Sequence, residues 1–234
     1  MAYITKDEVK KYMGVNFTSG MDSFVDMVIA GCQKYIEKVC GSPRFGDRVF
    51  EAPDPDTSST RRFNGSGDTK LYVGDLFEVD SVTIDNYEYV IDEDVFAYPL
   101  NNVDEAYHWL EIAQPETRLN ANSRVGNSDP YIFEAAQANV EIEGKWYFSE
   151  TAPANIKLAH LKLVGGVLKE NVADADVKEK KSETLGDYRV DFQDLDKLAH
   201  TLKVDDLLSP FMMSKDKTGM SGGIGASAGV IKVS

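Results

Sequence analysis

Apolar residues recur along this chain with two different periods, and the change from one to the other divides it. Near the start, Thr5-Lys-Asp-Glu8 matches the Ser/Thr-x-x-Glu capping box, in which hydroxyl and carboxylate each satisfy an orphan backbone N–H, so a short helix is predicted over about Lys6–Met13. A second helix is predicted over about Gly20–Cys40. There Met21, Val25, Val28, Cys32, Ile36 and Val39 form one apolar stripe, with Asp26, Lys34, Glu37 and Lys38 largely opposite. Gly41 and Pro43 stop it. From Arg48 to Phe148 the period moves towards two, with candidate strands at Arg48–Ala52, Arg61–Phe63, Lys70–Val73, Ser81–Ile84, Glu88–Ile91, Trp109–Ile112 and Ile132–Phe148. Asn64-Gly-Ser-Gly-Asp68, between two short apolar runs, is a hairpin signal because Asn and Gly tolerate positive φ. One inserted antiparallel sheet is expected. The polar run Asn120–Pro130 reads as an exposed loop or hairpin tip.

The period of 3.6 returns after Pro153, which suits the first turn of a helix because its missing N–H would have no partner there. A helix is predicted over about Ala154–Glu170. Ile156, Ala159, Leu163 and Val167 fall on one face, and Leu158, Leu161, Val164 and Leu168 on its flanks. A helix so broadly apolar needs cover on more than one side. Ile156, Leu161, Leu163, Val164, Val167 and Leu168 are therefore the candidate residues of a subunit interface, and Leu163→Asp is expected to abolish docking while leaving the monomer soluble or mildly destabilised. Gly165-Gly166 inside this helix costs about 1 kcal/mol per glycine relative to alanine, so a close approach or a kink is expected there. In the strand before it, Trp146 and Phe148 are expected to pack under the helix, with Tyr147 facing out. Asn171–Thr184 is charged and aperiodic and reads as a loop. Asp194–Leu208 is predicted as a last helix, with Leu195, Leu198 and Leu202 on one side, ended by Ser209-Pro210.

The fold class expected is α+β: a small helical bundle of N-terminal helices plus two C-terminal helices, with an inserted antiparallel β-rich subdomain. Residues 1–47 supply the first helices, 48–150 the insertion, 151–211 the returning helices with a charged loop at 171–184, and 212–234 a tail of flexible composition containing Ser-Gly-Gly-Ile-Gly-Ala-Ser-Ala-Gly.

Composition adds limits. At 234 residues and 42% hydrophobic the chain can bury a real core. Its net charge of −14, 25 Lys plus Arg against 39 Asp plus Glu, does not supply the basic stripe with which proteins neutralise phosphates. It does suit a wall along which duplex slides without sticking. Cys32 and Cys40 stand about 12 Å apart along a predicted helix at 1.5 Å per residue, too far for a disulfide within it, and are expected as thiols. No charged segment followed by an apolar core opens the sequence, and the apolar runs fall short of the roughly 20 residues of a membrane span, so synthesis and use in the cytoplasm, with no membrane partner, is expected.

Motifs for chemistry are weak. Asp216-Lys-Thr-Gly219 has the residues of a phosphorylated aspartate motif but continues with Met220 in the tail, and Gly222-Gly-Ile-Gly225 lacks the strand and helix that make a phosphate loop. His108, His160 and His200 are single and scattered, without metal-ligand spacing, and read as core or surface histidines. Asp92-Glu-Asp94 and Asp174-Ala-Asp176 lack the glycine and terminal glutamate of a calcium loop. No catalytic residue, cofactor or metal is expected. An acidic hydrolase assembled only in three dimensions would need a concave pocket with perturbed carboxyl groups.

Four pieces in order carry a resemblance: Tyr35-Ile-Glu-Lys-Val-Cys-Gly41, the Arg61-Arg-Phe-Asn-Gly65 to Lys70-Leu-Tyr-Val73 stretch, Glu143-Gly-Lys-Trp-Tyr-Phe148 followed by Pro153, Ile156 and Ala159, and Ser182-Glu-Thr-Leu-Gly-Asp-Tyr-Arg-Val-Asp-Phe192. Together they make the chain, from about Thr5 to Phe211, similar to the head-tail connector, or adaptor, proteins of tailed bacteriophages. The resemblance implies a structural virion protein without catalysis. It implies a ring of this chain, commonly of twelve subunits, beneath the portal protein at the head-tail junction. The ring would offer a surface to stopper or tail-completion proteins and let genomic DNA pass without sequence-specific binding. The expectation from another class is a binding module, in which the β-rich insertion recognises a saccharide or a protein.

Overall fold

The computed structural model describes residues 2–17, 19–52, 54, 56–100, 104–113, 132–172 and 195–213. Among these residues, five α-helices and two antiparallel sheets make an α+β protein. Helix α1, Lys6–Met13, carries the capping box: Glu8 N–H donates to Thr5 Oγ1 at 3.2 Å, and Thr5 N–H donates to Glu8 Oε2 at 2.6 Å. Helix α2, Asp22–Cys40, is led in by a 3₁₀ turn at Ser19–Met21 and buries Phe24, Val25, Val28, Ile29, Cys32, Ile36 and Cys40. Both cysteines are buried and neither is in a disulfide, and burial pushes the Cys32 thiol up to about 12. Glu37, assigned to the polar face by spacing, is instead buried. Its carboxylate accepts from Tyr3 Oη at 2.8 Å, Gln33 Nε2 at 2.8 Å and Lys34 Nζ at 2.6 Å. Those three donors offset the desolvation that would otherwise exclude a carboxylate from this place.

Helix α3, Ala154–Val172, runs through the centre of the helical part and touches α1, α2, α4 and α5. The last helix of the sequence reading is two: α4, Leu195–Thr201, and α5, Val204–Leu208, separated at Lys203, which takes φ of 53°. Ser209-Pro210 does not end the helical run. Proline at the start of a 3₁₀ turn, Ser209–Phe211, costs no hydrogen bond and carries the chain one turn further.

Among the described residues between α2 and α3 lie seven strands: β1 Ser59–Phe63, β2 Lys70–Leu76, β3 Glu78–Ile84, β4 Tyr87–Tyr89, β5 Val95–Tyr98, β6 Tyr107–Ile112 and β7 Val140–Lys145. They form two sheets rather than the single one expected, in the orders β1-β7-β3-β4 and β2-β6-β5. The Asn64–Asp68 run is consequently not a hairpin turn, because β1 pairs with β7 and β2 with β6; it passes the chain from one sheet to the other. The tight hairpin is β3–β4, where Asp85 and Asn86 take φ of 49° and 66°, the two positive values of a type I′ turn. The stretch Arg48–Ala52 forms no strand but touches the following chain through one bridge, Glu51 to Ser149. The strand after position 132 is confined to β7, and β5 had no signal in the sequence reading.

Two apolar cores result. The helices close over Val9, Val25, Val28, Ile36, Ile156, Leu163, Leu195 and Leu208, together with Phe50 and Phe148 from the chain entering and leaving the sheets. The two sheets close over Leu71, Val73, Leu76, Val82, Ile84, Leu110, Ile112 and Ile142. The expected loop at 120–130, the charged loop from 173 to 184, the Ser182–Phe192 motif and the tail beyond Met213 lie outside the described residues.

Candidate assembly surface

The six candidate interface residues on α3 are occupied within the chain. Ile156, Leu163, Val164 and Leu168 have no exposed surface, Val167 retains 4%, and Leu161 is half-buried against the same core. The second cover anticipated from a neighbouring subunit comes from α1, α4 and α5 of the same chain. Leu163→Asp is accordingly not a surface change: it places a carboxylate in a filled core without a partner, and loss of the native fold, read by circular dichroism, is the expected result.

What α3 leaves outside is the other flank. Leu158 is 39% exposed and Leu161 half-exposed beside it. The paired glycines explain how the neighbouring helices come so near. A Cβ on Gly165 would stand 3.1 Å from the ring of Tyr12, and one on Gly166 would stand 2.9 Å from Leu202 Cδ1 and 3.0 Å from Leu198 Cδ2. Close approach, not a kink, is therefore the reason for the pair. Tyr12 lies against Gly165 of α3 with 46% of its surface exposed, and Val15, just beyond the end of α1, is 43% exposed.

A polar clasp fixes the helical part to the sheets. Arg48, between α2 and β1, is buried and pairs with Asp75 on β2 through both guanidinium edges, Nε to Oδ2 at 2.7 Å and Nη2 to Oδ1 at 2.9 Å. Its remaining Nη1 donates to the Phe211 carbonyl, and its guanidinium carbon lies 4.6 Å from the centre of the Phe148 ring. Phe211 packs edge-on to Phe50 and Phe148, with centroids 5.7 and 5.8 Å away. Burial alone would raise the Asp75 carboxyl; hydrogen bonds from His108 and Arg48 more than offset it and hold the group below its ordinary value. Beside the clasp, Tyr3 Oη accepts from Phe50 N–H at 2.9 Å while donating to Glu37, tying the N-terminal segment to the same joint.

The expected roles of the aromatic triplet change here. Phe148 joins the helical core as anticipated, but Tyr147 is 5% exposed and stacks on Phe77 at 4.6 Å, and Trp146 packs on Phe63 and the sheet core. Trp146 Nε1 donates to Ser59 O at 2.7 Å. The chain leaves β7 at Lys145, so strict alternation no longer holds across the triplet.

The three histidines sit apart. His160 is fully buried, its Nε2 2.8 Å from Ile29 O, and burial pushes it down to about 4. His108 lies 3.4 Å from Asp75, and His200 is exposed 3.5 Å from Asp205. Among the described residues no group of three or more His, Cys, Asp or Glu side chains is placed to hold a metal ion, and no helix is long and apolar enough to cross a membrane. Leu158 was within reach of the sequence as part of the broad apolar surface of its helix; Arg48 and Asp75 carried no signal, because nothing in spacing pairs residues 27 apart on different elements. No protein-family model matches this chain, and no curated protein is found that is similar to it in sequence.

Proposed function

We propose that this protein is a head-tail connector of a tailed bacteriophage: a structural adaptor that forms a ring beneath the portal protein, joins the filled capsid to the tail and lets DNA pass. The observation that carries the reading is the convergence of its separated motifs. Tyr35 and Cys40 of the first motif and Phe148, Ile156 and Ala159 of the third belong to one core, although the sheets intervene in sequence. The net charge of −14 supports a channel wall that repels the phosphate backbone. Nothing in the role requires catalysis or a cofactor. The partners are further copies of this chain, the portal protein, and stopper or tail-completion proteins, and the place of action is the head-tail junction of the virion.

The test is sedimentation velocity of the purified chain alone and mixed with the portal ring from the same source, with negative-stain images of any fast species. A ring stacked on the portal supports the adaptor; a chain that never sediments with the portal overturns it.

One observation favours the binding-module reading. On β2, β6 and β5 the residues Tyr72, Trp109 and Tyr98 stand in one cross-strand row, Trp109 and Tyr98 stacked at 5.5 Å and 4°. Saturable binding of a saccharide by dispersed monomers, lost in Trp109→Ala, would replace the adaptor with a recognition module.

A further inference from the structure

The two sheets end in the edge strands β1, β4, β2 and β5, and three of these carry a device that discourages a further strand. Strand β4 has three residues, too short a template for a partner. Strand β5 runs directly into Pro99, which has no N–H to offer. Strand β2 loses register between Tyr72 and Leu76, and Arg44 Nη2 already donates to the Tyr72 carbonyl at 3.4 Å. Strand β1 differs. Its register with β7 is unbroken from Ser59–Gly144 to Phe63–Val140, no proline falls within it, and among the described residues no strand pairs with its other side.

What β1 carries instead is two arginines, of which one is spent. Arg62 pairs across the strands with Glu141, Nη2 to Oε1 at 2.6 Å. Arg61 shares the opposite face with Phe63, and its guanidinium carbon lies 4.3 Å from the centre of the Trp146 ring. Among the described residues its N–H groups have no hydrogen-bond or ion-pair acceptor. Asp75, the carboxylate that acts on it, is held on both oxygens by Arg48. Such arginines guard the edge against a second copy of itself, because antiparallel pairing about Arg61 sets like charges opposite. They do not guard it against a carboxylate.

We infer that the outer edge of β1 is the docking line for an extended segment of a partner protein, which adds to this sheet as one more strand and sets a single carboxylate against Arg61. Main-chain pairing over Thr60–Phe63 supplies the affinity, since Ser59 O already accepts from Trp146 Nε1. The side chain supplies the selection: a guanidinium fork takes a carboxylate through two N–H groups, and the Trp146 ring fixes the plane of the fork. Phe63 and Trp146 stand beside Arg61 on the same face, so apolar residues two places to either side of the carboxylate fit, as strand alternation requires. In a chain of net charge −14 a long acidic run is repelled, so the recognised feature is one carboxylate in register. The inference goes beyond the adaptor reading and does not depend on a ring.

The test is titration of the full chain with the probe peptide acetyl-Thr-Val-Thr-Glu-Thr-Val-Thr-amide, read by amide and indole N–H chemical shifts, against the same peptide with glutamine at its centre. The glutamate peptide is expected to shift Thr60–Phe63 and the Trp146 indole saturably and to bind at least tenfold more tightly than the glutamine peptide. Arg61→Gln, with its fold checked by circular dichroism, is expected to bind both peptides with the same weak affinity. If that variant does not fold, the comparison of the two peptides on the wild type decides. No saturable shift up to millimolar glutamate peptide, shifts centred away from β1, or equal affinity for the two peptides overturns the inference. So does acetate alone, if it reproduces the whole pattern of shifts, because a bare carboxylate site needs no strand.

Discussion

His160 shows how a single side chain can set the acid limit of a fold. Its Nε2 is held at Ile29 O, its ring lies edge-on to Tyr3 at 6.0 Å, and its Nδ1 has no hydrogen-bond partner. A proton there would stand in the helical core, and the folded pKa falls from 6.5 to about 4, chiefly through burial, with the Ile29 contact and Glu37 opposing. The unfolded chain binds that proton more readily, so the stabilising contribution of neutral His160 is full above pH 6.5 and is lost as pH falls from there towards about 4. At about 1.4 kcal/mol per pH unit the loss is on the order of 3 kcal/mol. Urea denaturation of the wild type should therefore show midpoints dropping across this window, and His160→Gln should flatten that slope while lowering stability at neutral pH. Single residues were also where the sequence misled. Glu37 had the spacing of a solvent-facing residue, and its burial is made tolerable by Lys34 and Gln33 of its own helix together with Tyr3, which arrives from 34 positions away. Cys32, whose spacing put it on the apolar stripe, went where spacing said.

At the scale of elements, α3 is a helix whose fit depends on what it lacks. Alanine in place of either glycine should gain about 1 kcal/mol of helix propensity. At Gly165 the obstacle is a half-exposed Tyr12 ring that can swing outward, so Gly165→Ala should leave the melting temperature equal or higher. At Gly166 the new methyl is wedged between Leu198 of α4 and Leu202 just beyond its end; overpacking of about 1–3 kcal/mol outweighs the gain, and the melting temperature should fall. Differential scanning fluorimetry of the two variants side by side decides the point. Helices were legible because each carries its own evidence: the Thr5–Glu8 box bounds α1, and the apolar stripe of α2 lies within the helix that uses it. Strand positions were partly legible, but pairing was not. Phe63 and Lys70 flank a run with every local feature of a hairpin, yet their partners are Val140 and Glu111, which local sequence cannot indicate. The site on α3 failed for a related reason. Its breadth of apolar surface was read correctly, but sequence gives no means of deciding whether a helix's second cover is its own chain or a copy.

At the scale of the whole molecule, the Arg48–Asp75 clasp joins the two cores. Removing one partner strands the other charge in a buried place, and breaking such a pair costs about 3–5 kcal/mol. Arg48→Met alone should destabilise by that order, whereas Arg48→Met/Asp75→Leu should recover most of the loss, because neither charge then remains to be desolvated. Chemical denaturation of the four members of this cycle measures the coupling directly. Should the double variant be no more stable than Arg48→Met, the Phe211 carbonyl rather than Asp75 is the partner that matters.

Phe211 has a bearing on how the chain comes into being. The core between the sheets is complete once residue 142 has been made, but the helical core waits for Leu195, Val204 and Leu208, and the clasp waits for the Phe211 carbonyl. Helices α1 and α2, made before the sheets, must therefore wait with their apolar stripes uncovered until α3 follows. Their cover arrives with α3, which packs on both, and α4 and α5 then close over α3 in turn.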